Sequence, residues 1–529
     1  MRNVQITFKS YTQRRHASLM MSLVTCLIVF VAMVAFFSIR KARLWAKLPP
    51  GPPRLPFIGN LHQAPTNALW LTFQNWVKQY GPLVGLDFGG TIIIIVGDYE
   101  TARDLLDKRA SIYSSRPRMV MAQELVCKGH NILFRPSGAD LSRHQQMEAP
   151  VLSPRASTSY TPLQDIESRI LLKNFLNTND YEIQFERYAA SIVYTLAYGL
   201  RVETGKEWQL QVNHQNVEHL VLAGEMGRWI VDSLPFLKYL PGFLAPWKKT
   251  AEKWHRECTD MATTNMQDAL SRDGWNWSKD FANSKEAKQM PKVELAWDLS
   301  MLCDAGIETT NMMLQIFTLA CLAYPYWIPI AQRELDSVVD DGRLPSFEDL
   351  DKLPYIHAVM EEIFRWRHIL PTGIPHATTK DDHYKGFLIP KNSIIIPLFI
   401  SMRNDSSLYQ APSEFRPERW LNGKAQSGNF GYGRRICPGR FIARNSLAIA
   451  VSRLLWGFNI TGRQMFVDED SFTKGFVSSP KRFEAYFEAR SEKHRTLIEM
   501  GYQQEDKDVP KLLDEIRARQ VASGLTPRT

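Results

Sequence analysis

The chain has few cysteines, and none of them lie close together in sequence. Six cysteines are spread over 529 residues, without a Cys-x-x-Cys pair or a His/Cys group at zinc-ligand spacing. This pattern argues against a disulfide framework and a structural zinc site, and it indicates a reducing compartment. The cysteines occupy positions 26, 127, 258, 303, 321 and 437.

Acidic residues are missing from the start of the chain, where the first is Asp87. Basic residues are frequent in the same stretch: Arg2, Lys9, Arg14, Arg15, Arg40, Lys41, Arg43, Lys47 and Arg54. This end therefore favours an anionic membrane surface. The net charge of +9 is otherwise spread out, without a basic motif typical of nucleic-acid binding, so we expect no nucleic-acid partner.

One long apolar run lies near the N-terminus. Residues 17–39 carry no charged side chain, and a bilayer-spanning helix needs about 20 residues. A cleaved signal peptide is the alternative, but its apolar region would be about 7 to 15 residues long. We therefore predict a retained transmembrane anchor at 17–39, after a tail at 1–16. Its orientation stays open because basic residues flank both ends equally.

The remaining chain divides into a hinge, a globular part and a tail. Five prolines between Leu48 and Pro56 are incompatible with a helix or a central strand, and they predict a stiff hinge at 40–60. The composition, 44% hydrophobic and 22% charged, is that of a globular protein, and we place one domain at 61–495. The C-terminal tail at 496–529 is expected to be solvated.

Hydrophobic spacing predicts the main helices and strands of the domain at 61–495. Ala68 to Tyr80 has helical spacing, and Leu83 to Phe88 and Ile92 to Val96 have the β-branched content of paired strands joined by two glycines. Helical patterns dominate residues 166–265, interrupted by an apolar loop from Leu234 to Pro246. That loop is either part of the core or a segment that dips into lipid and admits apolar substrates.

The segment from Phe430 to Gly439 has the sequence FGYGRRICPG. Its glycines permit backbone angles and close approaches that side chains would block, so Cys437 can be presented to a large, flat partner. Arg434 and Arg435 are expected to favour the thiolate of this cysteine. An apolar helical period begins at Phe441 and places the sulfur just ahead of a helix N-terminus.

The ordered set Phe430, Gly433, Arg435, Cys437 and Gly439 resembles the haem-binding loop of the cytochrome P450 family. In that family the cysteine thiolate is the axial ligand of the haem iron. The resemblance implies that Cys437 binds the iron of haem b and that the other four residues surround the cofactor. Weaker motifs follow in family order across roughly residues 40 to 490.

One of these motifs runs from Leu302 to Thr310 inside an apolar helical stretch. Ala305 and Thr309 lie on one helix face, and Gly306 is expected to let a flat ligand approach the backbone. The motif resembles the family's oxygen-activation segment. This implies that Ala305 contacts the haem and that Glu308 and Thr309 deliver protons while dioxygen is cleaved.

Two further motifs concern the support of the cofactor. Glu362 and Arg365, with Arg419 in Pro417-Glu-Arg-Trp420, resemble the family's structural ion triad. His376 and Arg435 resemble its contacts to the haem propionates. The chain departs from the family at Leu141-Ser142, where a Trp-Arg pair is usual. Arg143 and His144 follow this position. Arg143 is one residue later than the usual arginine, which rotates its side chain by about 100° around a helix, so His144 is the candidate substitute for the missing pair.

The resemblance implies a mainly α fold with a small β region, preceded by one transmembrane helix. It implies a monooxygenase that inserts one oxygen atom of dioxygen into an apolar organic substrate and reduces the other atom to water. The expected substrate contacts are Met119, Ala305, Leu370, Ile374 and Phe476.

Electrons must come from another protein, because no dinucleotide fingerprint or flavin module is present. The resemblance implies an NADPH-cytochrome P450 reductase as partner and cytochrome b5 as a second candidate. It places the chain in the endoplasmic reticulum membrane as a single-pass protein with a cytosolic catalytic domain. The motif Ile112-Tyr-Ser-Ser-Arg-Pro117 is similar to fungal members of specialised metabolism.

Two alternatives stay open. A haem-thiolate isomerase or dehydratase would use the same fold without external electrons, although Glu308 and Thr309 argue against it. A catalytically silent haem-binding protein is the other alternative, because the Trp-Arg pair is missing.

Overall fold

The computed structural model describes residues 2–65, 67–340, 342–422, 428–463, 468–474, 477–504 and 506–525, with residues 2–19 described by their backbone alone. Most of these residues are helical. The helices are α1 (Arg2–Trp45), α2 (Leu69–Tyr80), α3 (Tyr99–Ala102), α4 (Ala110–Tyr113), α5 (Ala139–Leu152), α6 (Pro154–Ser159), α7 (Thr161–Phe175), α8 (Tyr181–Tyr198), α9 (Trp208–Gly224), α10 (Ile230–Ser233), α11 (Pro246–Ser271), α12 (Trp277–Ala282), α13 (Lys292–Ala323), α14 (Ile328–Val338), α15 (Pro354–Trp366), α16 (Phe399–Arg403), α17 (Arg440–Gly457), α18 (Glu492–Gln503) and α19 (Val509–Ala522).

The strands form a small β region beside the helices. They are β1 (Leu83–Phe88), β2 (Thr91–Val96), β3 (His376–Ala377), β4 (Asp382–Tyr384), β5 (Phe387–Ile389), β6 (Ile394–Pro397), β7 (Phe458–Thr461) and β8 (Tyr486–Ala489). The largest sheet has the order β1-β2-β6-β3, in which β2 and β6 are parallel and the other pairs antiparallel. The predicted β1–β2 hairpin is confirmed. Its turn residues Gly89 and Gly90 have φ of 62° and 105°, which glycine adopts without strain.

The first helix is longer than the predicted anchor and is bonded to the largest sheet. Among the described residues, α1 is the helix that is long and apolar enough to cross a membrane by itself, from Met20 to Trp45. Its last turn contacts β1, where the Trp45 indole N–H donates to Asp87 Oδ2 at 2.8 Å and Lys41 Nζ lies 3.2 Å from the same oxygen. The segment expected to be a hinge therefore starts with helix.

The proline-rich segment that follows also lies against β1. Arg54 donates to the Gly85 carbonyl at 2.7 Å, and the Gly85 amide donates to Pro50 at 2.9 Å. A Cβ at Gly51 would lie 2.3 Å from the Gly85 oxygen, so only glycine permits this contact. The prolines thus dock the chain onto the sheet.

The C-terminal segment is packed, and our expectation of a solvated tail is wrong for its described part. In α19, Leu513 and Ile516 are buried in the main hydrophobic core. Gln520 of the same helix donates to the buried Tyr160 hydroxyl. An amphipathic period in the sequence marks a helix but does not show which surface it covers.

The apolar loop between α10 and α11 is exposed, which excludes the interpretation that it belongs to the core. Its large side chains face outward, with exposed fractions of 64% for Phe236, 79% for Tyr239 and 84% for Phe243. Large apolar side chains clustered on a surface mark a contact with lipid or with another protein.

The helix α13 runs for 32 residues through the core and packs against α8, α11 and α17. Gly306 lies where α13 meets α8, and a Cβ there would come within 2.6 Å of Val193 Cγ1. Glycine is therefore needed for close helix packing. The expectation that Gly306 lets a flat ligand approach the backbone stays a prediction.

Candidate active site

Cys437 lies at the end of a constrained loop, directly before α17. Gly433 has φ of 57°, and a Cβ on it would lie 2.1 Å from the Leu106 carbonyl oxygen, so this position requires glycine. The Cys437 amide donates to the Phe430 carbonyl at 2.9 Å and closes the loop. The Cys437 side chain remains partly accessible. A Cβ at Gly439 would meet no atom within 4 Å, so there is open space beside the loop.

The charges around Cys437 differ from the sequence-based prediction. Arg435 turns away and donates to the Ser114 carbonyl at 2.8 Å, and Arg434 is exposed. Burial raises the pKa of the Cys437 thiol, while the Gly439 and Arg440 amides and the Arg440 charge lower it. The first turn of α17, and not the Arg434-Arg435 pair, is thus the feature that favours a thiolate.

The helix α13 presents an open face at Ala305. Cys303, Ile307 and Thr310 of the same turns are buried, yet Ala305 is exposed and Thr309 is partly exposed. The Thr309 hydroxyl donates to the Ala305 carbonyl oxygen at 2.7 Å. Because α17 begins directly after the Cys437 loop and packs against α13, the fold brings the loop and this helix into one region.

Glu308 is turned toward α8 and α9 and is engaged in an ion pair. Its Oε1 lies 3.3 Å from His214 Nδ1, and His214 Nε2 lies 2.5 Å from Oε1 of Glu186. Hydrogen bonds to Glu186 and then to Glu308 raise the pKa of His214 to about 10. Asp304, one turn before Glu308, is buried, and burial followed by the Glu308 charge raises its pKa well above the ordinary range.

A cluster of basic side chains lies beside the Cys437 loop, with Arg116 and His376 buried and Arg435 half-buried. Arg116 donates to the carbonyls of Leu133, Ile374 and Pro375, and Arg435 donates only to carbonyls as well. His376 Nδ1 lies 2.8 Å from the Tyr113 carbonyl oxygen. Burial and then the neighbouring Arg435 charge lower the pKa of Arg116, while burial and then the Arg116 charge lower the pKa of His376 to about 3.

These basic groups lack a countercharge within the part of the chain that the structure describes. Their hydrogen bonds go to neutral carbonyls, and burial lowers the pKa of Arg435 to about 10. A cation held away from water without an anion is costly, so Arg116 and Arg435, with the neutral His376 beside them, fit a ligand that carries carboxylate groups. The two propionates of haem b meet that requirement. Sequence reasoning identified Arg435 and His376 but missed Arg116, whose one signal was its position directly before Pro117.

The departure at Leu141-Ser142 is explained by a different network. Leu141 is buried, and the Ser142 hydroxyl donates to the Gly138 carbonyl within α5. His144 is buried between two carboxylates of α13, with Nδ1 2.5 Å from Asp298 and Nε2 3.0 Å from Glu294. His144 therefore joins α5 to α13. The idea that it substitutes for the missing pair at the cofactor is not supported by this geometry.

The predicted ion triad is assembled below the loop. Glu362 and Arg365 are joined by two hydrogen bonds, and Arg419 Nε lies 3.1 Å from Glu362 Oε1. On the same helix Phe364 packs edge-on against Phe430 of the cysteine loop, with ring centroids 5.1 Å apart. The triad thus supports the segment that carries Cys437.

The predicted substrate contacts come from separate segments. Met119, Leu370 and Ile374 are each partly exposed, and the Ile374 carbonyl accepts from Arg116 beside the basic cluster. Met119 lies near α9, since a Cβ at Gly224 would be 3.6 Å from Met119 Cε. Phe476 lies outside the described residues.

Comparison with known proteins agrees with this geometry. A family model described as Cytochrome P450 matches residues 49–487. The chain is similar to the cytochrome P450 monooxygenase aneD of Aspergillus aculeatus, at 39% identity over 89% of this chain and 94% of the relative. It is similar to the cytochrome P450 monooxygenase drtD of Aspergillus calidoustus at 38% identity, covering 91% and 94%. The cytochrome P450 monooxygenase FrzL of Cladobotryum sp is 36% identical over 94% and 98%.

Proposed function

This chain belongs to the cytochrome P450 family and is a monooxygenase, and from that premise we propose that it inserts one atom of dioxygen into an apolar organic substrate. The other atom leaves as water, with electrons supplied from NADPH by a separate flavoprotein reductase. The observation that supports this best is the accessible Cys437 at the start of α17 together with the open Ala305–Thr309 face of α13.

The cofactor in this proposal is haem b, which when bound supplies the iron that reduces and cleaves dioxygen. Cys437 holds it through its thiolate, with Phe430, Gly433 and Gly439 shaping the loop. Arg116, Arg435 and His376 hold its carboxylates, because they form a basic cluster whose hydrogen bonds go to neutral carbonyls. Glu362, Arg365 and Arg419 stabilise the supporting layer and have no part in the chemistry.

Proton delivery is assigned to the middle of α13. The Thr309 hydroxyl, now donating to Ala305, is free to turn toward a ligand on the open face. Glu308 passes protons toward it as a general acid. Water must reach the site only by such controlled routes, because stray protons and water would divert dioxygen to peroxide.

The substrate is an apolar small molecule of fungal specialised metabolism. Met119, Leu370 and Ile374, with Ala305, supply apolar contacts at the open face, and Phe476 stays a further candidate. The similarity to the fungal monooxygenases aneD, drtD and FrzL supports a monooxygenase role of the same kind.

Membrane attachment follows from α1 and from the exposed loop before α11. In this proposal the anchor at 17–39, after a tail at 1–16, spans the endoplasmic reticulum membrane once. The segment at 40–60 joins it to a cytosolic domain at 61–495, and residues 496–529 come last. Phe236, Tyr239 and Phe243 supply a second apolar contact with the bilayer. The reductase, and cytochrome b5 as a further electron donor, would approach on the same membrane.

The test is spectroscopic first and enzymatic second. Purified full-length protein, reduced and exposed to carbon monoxide, should show the absorption band of a thiolate-ligated haem, and the Cys437→Ala variant should lose the haem. Cys26→Ala, an exposed cysteine in the anchor helix, is the control. Product formation should then require NADPH and the reductase. Turnover without electrons would favour an isomerase or dehydratase, and absence of the band would favour a silent protein.

A further inference from the structure

We propose that His214 of α9 is a positioning residue for the reaction, which holds Glu308 and connects it to solvent as its source of protons. This inference rests on the proposed role of Glu308 and Thr309 in proton delivery. It concerns a residue on another helix, 94 positions away in the sequence from Glu308.

The geometry places His214 between two carboxylates from two other helices. Nε2 lies 2.5 Å from Glu186 Oε1 on α8, and Nδ1 lies 3.3 Å from Glu308 Oε1 on α13. Each ring nitrogen therefore needs a proton to donate, and only the imidazolium has both. The raised pKa of His214, about 10, agrees with this form.

The exposed fractions of the three side chains indicate the direction in which protons would move. The His214 side chain is 49% exposed, whereas Glu186 and Glu308 are 14% and 21% exposed. The imidazole is thus the member of the group that exchanges protons with bulk water most readily. Glu308 is the member that directly precedes Thr309 in α13.

The protons and electrons of each step balance. The Nδ1 proton passes to Oε1 of Glu308, the neutral imidazole keeps its Nε2 proton donated to Glu186, and a hydronium ion from bulk solvent restores the Nδ1 proton and leaves a water molecule. One monooxygenation consumes dioxygen, substrate, two electrons from NADPH through the reductase and two protons, and it yields hydroxylated substrate and water. His214 accounts for the entry of those protons and carries no electrons.

A purely structural ion pair would have the same contacts, so the test must separate charge from proton exchange. His214→Arg keeps a cation beside both carboxylates, but a guanidinium does not give up its proton at any working pH. His214→Gln removes both the charge and the exchange. His357→Gln, at an exposed histidine of α15, is the matched control.

The experiment uses the full-length enzyme reconstituted with reductase in lipid, and it records NADPH oxidised and hydrogen peroxide released. We expect the peroxide share to rise several-fold in both His214 variants, with an unchanged carbon monoxide band, and to stay unchanged in His357→Gln. A His214→Arg variant that behaves like the parent enzyme would overturn the relay. A missing carbon monoxide band in the parent enzyme would instead refute the proposed function.

A further variant tests the inference if the His214 substitutions do not retain haem. Glu186→Gln leaves His214 and Glu308 in place but removes the carboxylate that contributes most to the raised pKa of the imidazole. The pH at which the peroxide share begins to rise should then move to a lower value. An unmoved pH profile would also overturn the inference.

Discussion

Glu362 binds Arg365 through both of its carboxylate oxygens, with Nη2–Oε1 at 2.7 Å and Nε–Oε2 at 2.8 Å. The side chains are 0% and 1% exposed, and Arg365 also donates to carbonyls of the segment that follows α16. The pair therefore connects α15 to the chain that leads toward the cysteine loop. A buried pair of this kind is costly to break, because the remaining partner becomes an unpaired buried charge.

Replacing Glu362 with glutamine should destabilise the enzyme strongly. We expect a loss of about 3–5 kcal/mol in the free energy of unfolding, because Arg365 and Arg419 lose their common anion. Glu361→Gln, next in sequence, removes the pair with Arg444, which is 43% exposed, and keeps an amide oxygen that can accept from Asn429. It should cost about 0–1 kcal/mol. Thermal unfolding of both haem-loaded variants measures the difference, and equal midpoints would contradict the proposed structural role of the triad.

Replacing Arg116 should weaken haem binding without removing the thiolate ligand. Hydrogen bonds to charged groups contribute about 1.5–3 kcal/mol, so Arg116→Gln should raise the dissociation constant of haem by roughly 10-fold to 150-fold. Arg118→Gln, two residues away, is the control because that side chain is 54% exposed and pairs with Glu124. Haem transfer to an acceptor protein measures the loss. If both variants keep haem equally well, the basic cluster does not bind the propionates.

Thr309→Ala should leave haem in place and divert electrons to peroxide. The alcohol is removed from the open face of α13, while the carbonyl of Ala305 that it now contacts is still bonded within the helix. Thr310→Ala, at a buried position on the other face, should not change the ratio of product to NADPH. The ratio is measured with reductase and the substrate found by metabolite profiling. Unchanged coupling in Thr309→Ala would remove the threonine from proton delivery.

The His214 ion pairs should stabilise the fold in a pH-dependent way. The pKa of His214 is raised from about 6.5 in an unfolded chain to about 10 by Glu186 and Glu308. Their stabilising effect is therefore fully present below about pH 6.5 and is lost as the pH rises through 10. The difference in melting temperature between the parent enzyme and His214→Gln should shrink over that interval. The other acid of this group, Asp304, has a raised pKa because it is buried.

Sequence reasoning succeeded where a signal is local. The cysteine loop and the β1–β2 hairpin each lie within a few residues, so glycine spacing and β-branched content were enough to predict them. Arg116 and His214 gave no such signal, because their partners are 258 and 94 positions away. Only the tertiary fold, in which α13 packs against α8 and His214 of α9 reaches both helices, brings the latter pair together.

The sequence also did not determine what surrounds Gly306 and Arg435, and the reason is physical. Gly306 was expected to face a ligand, but helical spacing does not show which side of α13 meets Val193. A single residue separates Arg435 from Cys437 in the sequence, yet the Arg435 side chain donates to the Ser114 carbonyl. A side chain's direction depends on the loop's dihedral angles, which composition does not determine.

The contact of Trp45 and Lys41 with Asp87 has a mechanical consequence. Because the last turn of α1 is bonded to the sheet, the helix and the catalytic body would tilt together when α1 spans a bilayer as proposed. A thicker or thinner membrane that changes the tilt of this helix would rotate the whole enzyme with it. Lipid composition would thereby set how deeply the exposed Phe236 and Phe243 reach into the acyl chains.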